Sequence, residues 1–347
     1  MAWLALTVFL GSCSSGPPVR DDSWPAATPP LYSLIFFVHG DASYTYHDAL
    51  GEAREADDVV VSAARAIAEA NPRAEVYIFH EIPRRHFLFI FPRRDGRAYH
   101  YRGGRLVAEN SYWRDQGDSR FASALEFYGA GGAGREPPPT RMLFYFGHEL
   151  PEVGGSGYDA SYPDRKFTVE DFAGCARALA GTSGKLDLLV LGTCYGGTPH
   201  TIGRLAPSAR YIIASPENLH LSYFDLQPLI HIGIDPDETT ARFAKDFSRS
   251  AFERLASEVQ TTVSVVLYDT EATQTYLDSV SDTYDRWLAT ADGMADRSPA
   301  RCDCAQEAAY ASPTMSTGLT VLYRAPNFGR MKNTPGHSGW ECWRSVD

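Results

Sequence analysis

Two residues of this sequence have side chains and settings suited to covalent chemistry, the thiol of Cys194 and the imidazole of His148. Cys194 lies in LDLLVLGTCYGG (residues 186–197) and His148 in MLFYFGHELPEVGG (residues 142–155). Each segment is an apolar, β-prone run that passes into a glycine-rich turn, so each reads as a buried strand presenting a reactive group at its carboxyl end. Ligands and reactive groups gather at that edge of open α/β sheets. A thiolate attacking a carbonyl needs a nearby imidazole and a backbone N–H pair for the oxyanion. Gly192 before the thiol, and Gly196 and Gly197 after it, suit a strained turn and close backbone approach. Singly the two residues say little, because free cysteines are commonly buried core residues and the chain has ten histidines. Together, each at a strand terminus, they point to a cysteine nucleophile.

Around them strand-like and helix-like runs alternate, the signature of a mostly parallel sheet flanked by helices on both faces. Strands are expected at 33–38, 75–80, 141–146, 187–191, 211–214 and 263–268. Helices are expected at 52–70, from a capping box at Thr168-Val169-Glu170-Asp171, at 240–258 and at 271–291. Residues 84–109 interrupt the alternation. Their turn signals at Asp95-Gly96 and Gly103-Gly104 predict a three-stranded β-meander between 86 and 109. The insertion carries Arg84, Arg85, Arg93, Arg94, Arg97, Arg102 and Arg105. That charge suits anionic lipid headgroups or an acidic partner. The simpler account, which we favour at this point, is that alternate residues of a half-exposed hairpin are polar. The tail beyond Arg301 reads as irregular.

A net charge of -11 argues against a nucleic-acid partner, and 44% hydrophobic residues supply a substantial core. The opening run MAWLALTVFLGSC ends in Leu10-Gly11-Ser12-Cys13, a lipobox-like pattern in which Cys13 would be lipid-modified; an ordinary secretory leader is the alternative. No later run approaches the roughly 18 apolar residues of a membrane span. The expected organisation is a leader (1–12), a lipidated Pro/Ser/Gly tether (13–30), an α/β domain (31–298) and a cysteine-containing extension (299–347). The expected location is a bacterial cell envelope, with the chain exported and lipid-anchored. Cys175 reads as core. Among Cys302, Cys304 and Cys342 a disulfide to Cys342 is as expected as none, and a metal site with His337 lacks ligand spacing. His39, His47, His80 and His86 match no zinc signature and read as structural. Asp41 and Asp48 follow the first strand, toward the reactive edge.

From Leu143 to Asp225 the chain resembles the clostripain family of cysteine peptidases, in the caspase-like clan that includes gingipains and legumain. The residues that carry the likeness are LFYFGHELPEVGGSGYD, LDLLVLGTCYGG and ARYIIASPENLHLSYFD. The resemblance implies a caspase-like fold and endopeptidase activity on a peptide or protein substrate. It implies His148 as general base and acid, Cys194 as nucleophile, and an oxyanion hole from the backbone N–H groups of Cys194 and Glu149. It implies Ser215 as a cleft-lining residue and no organic cofactor; it raises calcium as a structural ion, although no EF-hand loop is present. Two positions depart from the family. Glu149 replaces the glycine after the histidine, and Gly192 replaces the aspartate that holds a basic P1 residue. Cleavage after Arg or Lys is therefore not implied, and a pocket charge would fall to Asp159, Glu217 or Asp225. Two alternatives remain open. Gly192-Thr193-Cys194-Tyr195-Gly196 also fits the nucleophile elbow of an α/β-hydrolase-type esterase, with Phe37-Val38-His39-Gly40 at the oxyanion and His220, His231 or His337 as base. The other is a catalytically inactive, caspase-like binding lipoprotein.

Overall fold

The computed structural model describes residues 29–278 and 318–340, apart from 42–44, 48–52, 89, 117–118, 133–137, 153–154, 156, 182–183, 220–224, 233–238, 330–331, 333–335, 337 and 339. Cys13, Asp48, His220, Cys302, Cys304, His337, Cys342 and most of the helix expected at 271–291 lie outside the described residues. The chain runs β1 (Tyr32–His39), a short pair β2 and β3 (Thr45–His47, Ala53–Glu55), α1 (Ala56–Ala70) and β4 (Ala74–Glu81). A small hairpin follows, β5 and β6 (His86–Phe87, Phe91–Pro92), then β7 (Gly96–Arg102), β8 (Arg105–Tyr112) and α2 (Ala122–Gly132). The second half runs β9 (Thr140–Phe146), α3 (Val169–Ala180), β10 (Leu186–Gly192), α4 (Pro199–Leu205), β11 (Ala209–Ala214), α5 (Thr240–Glu258), β12 (Val263–Asp269) and β13 (Leu319–Arg324).

Nine strands form one sheet in the order β13-β12-β11-β10-β9-β1-β4-β7-β8. The central five, β11 through β4, are parallel, and antiparallel pairs flank them. The centre is apolar on both faces because both are covered, as parallel sheets require. In β1 the side chains of Leu34, Phe36 and Val38 enter one core and those of Ile35 and Phe37 the other. β9 splits the same way, with Phe144 and Phe146 against Leu143 and Tyr145. The first core is closed by Val60, Ala64 and Ile67 of α1 and by Phe243, Phe247 and Leu255 of α5. The second is closed by Phe172, Ala176 and Leu179 of α3 and by Ile202 and Leu205 of α4. The capping box of α3 forms as its sequence implies, Thr168 and Asp171 each bonding the other's backbone N–H.

Three expectations are corrected. The insertion is not a self-contained meander, because β7 pairs with β4 and β8 with β7, which extends the main sheet. The reason is that β7 buries both faces, Tyr99 and Tyr101 on one side and Ala98 on the other. Gly103 and Gly104 make its turn at φ +60° and +76°, whereas Gly96 opens the strand. Helix α2 has no counterpart in the sequence reading, since three glycines in ASALEFYGAGG mask its helical period. The tail is not wholly irregular. β13 pairs with β12, and Trp340 is fully buried, stacked on Tyr268 at 5.0 Å and on Tyr276 at 5.3 Å. Among the described residues no helix is long and apolar enough to cross a membrane.

Trp340→Ala removes a buried indole and is expected to lower unfolding stability by about 3–5 kcal/mol, read as a shifted urea midpoint at unchanged slope. Unaltered stability would mean that the tail contributes no packing to the core.

Candidate active site

Strand register places His148 and Cys194 just beyond the ends of neighbouring strands. β9 and β10 are adjacent and parallel, and Phe146 pairs with Gly192. His148 and Cys194 each lie two residues beyond that pair, on strands about 4.8 Å apart. The chain reverses its direction of sheet growth between β1 and β9, so both sit beside the topological switch point, where the crevice of an open sheet lies.

The Cys194 turn is fixed by the segment after β11. Tyr195 N donates to the Glu217 carbonyl at 3.0 Å, and Gly197 N to the Ser215 carbonyl at 2.9 Å. The Leu219 N–H reaches Cys194 Sγ at 3.3 Å. The left-handed residue of the turn is Tyr195, at φ +54°, rather than either glycine. Gly197 is needed for a different reason, as a Cβ there would sit 2.9 Å from Pro216 N. The Gly197 carbonyl also accepts from Trp340 Nε1 at 2.6 Å and from the Tyr268 hydroxyl at 3.1 Å. Gly197 thus admits the protein's own backbone. In a nucleophile elbow the strained residue is the nucleophile itself. Here it is the next one, which counts against the esterase alternative.

His148 is half-buried, and burial lowers its pKa below the usual 6.5, so the imidazole is neutral at pH 7 and able to take a proton. Its ring lies against Tyr158, with centroids 4.6 Å apart. Gly157 and Tyr158 both have positive φ, +60° and +58°, and a Cβ at 157 would press on the Phe167 ring at 2.6 Å. That strained pair is held on either side. Gly155 bonds Phe167, and Asp159 ion-pairs with Arg114 and Arg120. Farther along the same loop, Glu152 Oε1 accepts from the hydroxyls of Thr198 and Thr201, the latter at 2.8 Å. Thr198 caps α4 just after the Cys194 turn, so Glu152 ties the loop of one reactive residue to the turn of the other. Nothing in the sequence singled out Glu152, Arg114 or Arg120, because no motif marks a side chain whose partners lie more than 30 positions away.

Beneath His148 these arginines head a buried cluster. Arg114 bonds Asp41 at 2.5 Å and also Asp159; Arg120 bonds Glu81 at 3.0 Å and Asp159 at 3.3 Å; His39 Nδ1 lies 2.7 Å from Glu81 Oε2 and 2.8 Å from Arg120 Nη2. Burial, with Arg120 beside it, lowers His39 to about 4. Burial alone would raise Glu81, but Arg120 and Arg114 outweigh it and hold the carboxyl well below the carboxylate range. Burial raises Asp159; Arg114 opposes this, and a hydrogen bond with Asp41 raises it further, to about 7. Two guanidiniums thus face three carboxyl groups, and the Asp159 carboxyl is the one that burial and the hydrogen bond with Asp41 push up.

The remaining candidates divide. Asp159, expected among the pocket charges, is instead turned inward and matched by two arginines. Asp225 accepts from Gln227 N at 3.0 Å and from Ser250 at 2.6 Å, capping a turn beside α5. Ser215 is fully buried, and its hydroxyl accepts from Glu217 N at 3.1 Å. Glu217 and Glu149 are partly exposed at the reactive edge. His231 lies in a 3-10 turn whose Leu229 joins the α1 and α5 core. Cys175 is buried, and burial pushes its thiol up. Asp57, Asp58 and His80 hold potential metal-ligand atoms within 4.8 Å of one another, but the His80 imidazole is already bonded to Asp57 at 2.8 Å.

No family model matches the sequence, and no curated protein matches it either. Among solved structures the chain is similar to an inactive zymogen C11 protease from Parabacteroides distasonis, at 15% identity over 75% of this chain and 66% of that one, TM-score 0.47. It is similar to a secreted C11 cysteine protease from Bacteroides thetaiotaomicron in complex with an irreversible peptide inhibitor, at 12% identity over 72% and 69%, TM-score 0.49. A third likeness is to the secreted C11 protease iotapain of Bacteroides thetaiotaomicron, at 10% identity over 75% and 72%, TM-score 0.50. The fold is that of the C11, clostripain-family, cysteine proteases. At these identities the likeness concerns the fold alone. Within the C11 fold this chain has a structural reason for Gly192: a Cβ there would sit 2.6 Å from Cε1 of Phe146, with Cδ1 closer still. The aspartate expected from the clostripain pattern cannot be restored without moving Phe146.

Gly192→Asp is therefore expected to cost about 1–3 kcal/mol through overpacking, without creating a preference for Arg or Lys at P1. Thermal unfolding and a peptide panel read the two effects. The buried cluster predicts an unusual pH response. His39 contributes stability that is complete above 6.5 and is lost as pH falls toward 4. Asp159 acts oppositely: its contribution is complete below 3.8 and is lost as pH rises through about 7. Urea midpoints of the parent should therefore change little between pH 7 and 4.5, while Asp159→Asn should lose stability steadily below pH 6.5. Arg114→Met should cost about 3–5 kcal/mol at pH 7, because it leaves buried carboxylates unmatched.

Proposed function

We propose that this chain is a cysteine endopeptidase that cleaves peptide bonds through a His148–Cys194 dyad. The observation that carries the reading is the register of β9 and β10, which puts His148 and Cys194 at equal distances beyond a paired Phe146 and Gly192. In the proposed cycle the neutral imidazole takes the Cys194 proton, and sulfur attacks the scissile carbonyl carbon. The backbone N–H groups of Cys194 and Glu149 hold the resulting oxyanion. Protonated His148 returns its proton to the leaving amine as the C–N bond breaks, which leaves a thioester. A water activated by His148 then hydrolyses the thioester and releases the acid.

Substrate selection in this reading differs from the clostripain pattern. With Gly192 in place of aspartate and Asp159 matched internally, Glu217 is the remaining carboxylate beside the nucleophile turn, to which its own carbonyl is bonded. It is our candidate for recognising a basic group; Ser215 acts by bracing Gly197. Export and anchorage through a lipidated Cys13 complete the proposal, with a peptide or protein as substrate.

Iodoacetamide labelling followed by peptide mass spectrometry tests the dyad without knowledge of the substrate. Cys194 should alkylate well below pH 8.5, where ordinary thiols begin to react, while buried Cys175 stays unmodified. His148→Ala should slow that labelling at least tenfold, and Cys194→Ser should abolish hydrolysis across a peptide panel. With a substrate in hand, the acid limb of kcat/KM should fall below pH 6.5, because burial lowers the His148 pKa. A Cys194 that is inert with His148 intact would leave a binding protein on a peptidase fold. Reactivity that survives His148→Ala would overturn the dyad.

A further inference from the structure

Between β4 and β7 the chain makes the small β5–β6 hairpin, which lies outside the main sheet. Its tip exposes Leu88, Ile90 and Phe91, at 63%, 74% and 59%. Leu88 has φ +50°, a conformation uncommon for a residue other than glycine. Water-exposed apolar side chains on a strained turn gain nothing for the core, and such features concentrate where a surface has a partner. The pairing of Phe87 with Phe91 and the bond from Arg93 N to the Arg85 carbonyl at 2.8 Å close the hairpin at its base. That closure gathers Arg84, Arg85, Arg93 and Arg94, all exposed, into a basic collar under the apolar tip. Among the described residues, Asp95 and Asp115 lie near this collar. Asp95 is buried, accepting from Arg114 N at 3.0 Å, and Asp115 is 3.8 Å from Arg84 Nη1.

We propose that this hairpin is a membrane-docking element, inserting Leu88, Ile90 and Phe91 at the acyl boundary of an anionic bilayer while the four arginines meet lipid phosphates. Charge and apolarity stacked along one short hairpin match the layering of a bilayer surface. A second copy of the chain would set collar against collar, and an acidic peptide would satisfy the collar but not the tip. The hairpin grows from the carboxyl end of β4, the same edge of the sheet as His148 and Cys194, and β4 is two strands from β9. Docking therefore turns the reactive edge toward the lipid surface. The proposal stands independently of the lipidation of Cys13 and of any activity at Cys194.

The test uses the full chain carrying Ile90→Trp, with the fluorescence of the parent protein subtracted. With phosphatidylglycerol-rich vesicles the added emission should move to the blue and be quenched by lipids brominated on their acyl chains. Phosphatidylcholine vesicles should give neither effect. Replacing Arg84, Arg85, Arg93 and Arg94 together by Ser should weaken the tip signal about a thousandfold in lipid concentration, with the unfolding midpoint unchanged. Protein bound to anionic vesicles with an unshifted tip signal would overturn the proposal, as would equal signals from both lipids. A shift on adding an acidic apolar peptide, but not vesicles, would make the hairpin a protein-docking site and equally overturn it.

Discussion

Two guanidiniums buried beneath the reactive edge are the constraint on which the rest of this structure rests. Arg114 follows β8 and Arg120 precedes α2, yet their partners come from the ends of β1 and β4 and from the loop after β9. Four separate stretches of chain therefore meet in one cluster of His39, Asp41, Glu81, Asp159 and the two arginines. A charge in such a place is tolerable only when matched, so each stretch is held wherever its partner is. The loop bearing His148 inherits this. Asp159 is pinned, Tyr158 is its neighbour in sequence, and the imidazole rests on the Tyr158 ring. The strained backbone at Gly157 and Tyr158 persists because the ion pairs over-determine it.

The central sheet was legible because a doubly covered parallel strand can only be written as an apolar run. Strands 1, 4, 9, 10, 11 and 12 of the sheet and the limits of α5 follow from such runs and from helix caps. What escaped did so for identifiable reasons. Helix α2 is rich in glycine, and β13 is short and isolated beyond a long stretch without periodicity. β7 and β8 were seen as strands, but their membership of the main sheet depends on Tyr99 and Tyr101 finding a core that only the fold creates. At the candidate site, the placement of His148 and Cys194 at neighbouring strand ends could be read from residue type and strand position. The supports could not: Glu152 on Thr198, Trp340 on Gly197 and Arg114 on Asp159 are contacts between residues 45 to 143 positions apart.

Gly192 illustrates how one small residue couples packing to specificity. Position 192 is where the clostripain pattern has its aspartate, and here that volume belongs to the Phe146 ring. Phe146 is also the last residue of β9, two before His148. The aromatic that fills the core at this point thus removes the charge that would select a basic substrate residue and, in the same place, sets the height from which the histidine emerges. In the proposed function, selectivity and strand packing are therefore coupled at this position.

Trp340 has a consequence in time. Its indole bonds the carbonyl of Gly197, 143 residues earlier, and Gly197 belongs to the turn that carries Cys194. A chain that leaves the ribosome or crosses a membrane from its N-terminus exposes the thiol long before this brace arrives. Contacts between such distant residues form late, because their loop must close first. The turn that carries Cys194 is therefore among the last parts of the molecule to become rigid, and in the proposed function any chemistry at Cys194 waits on the arrival of the C-terminal tail.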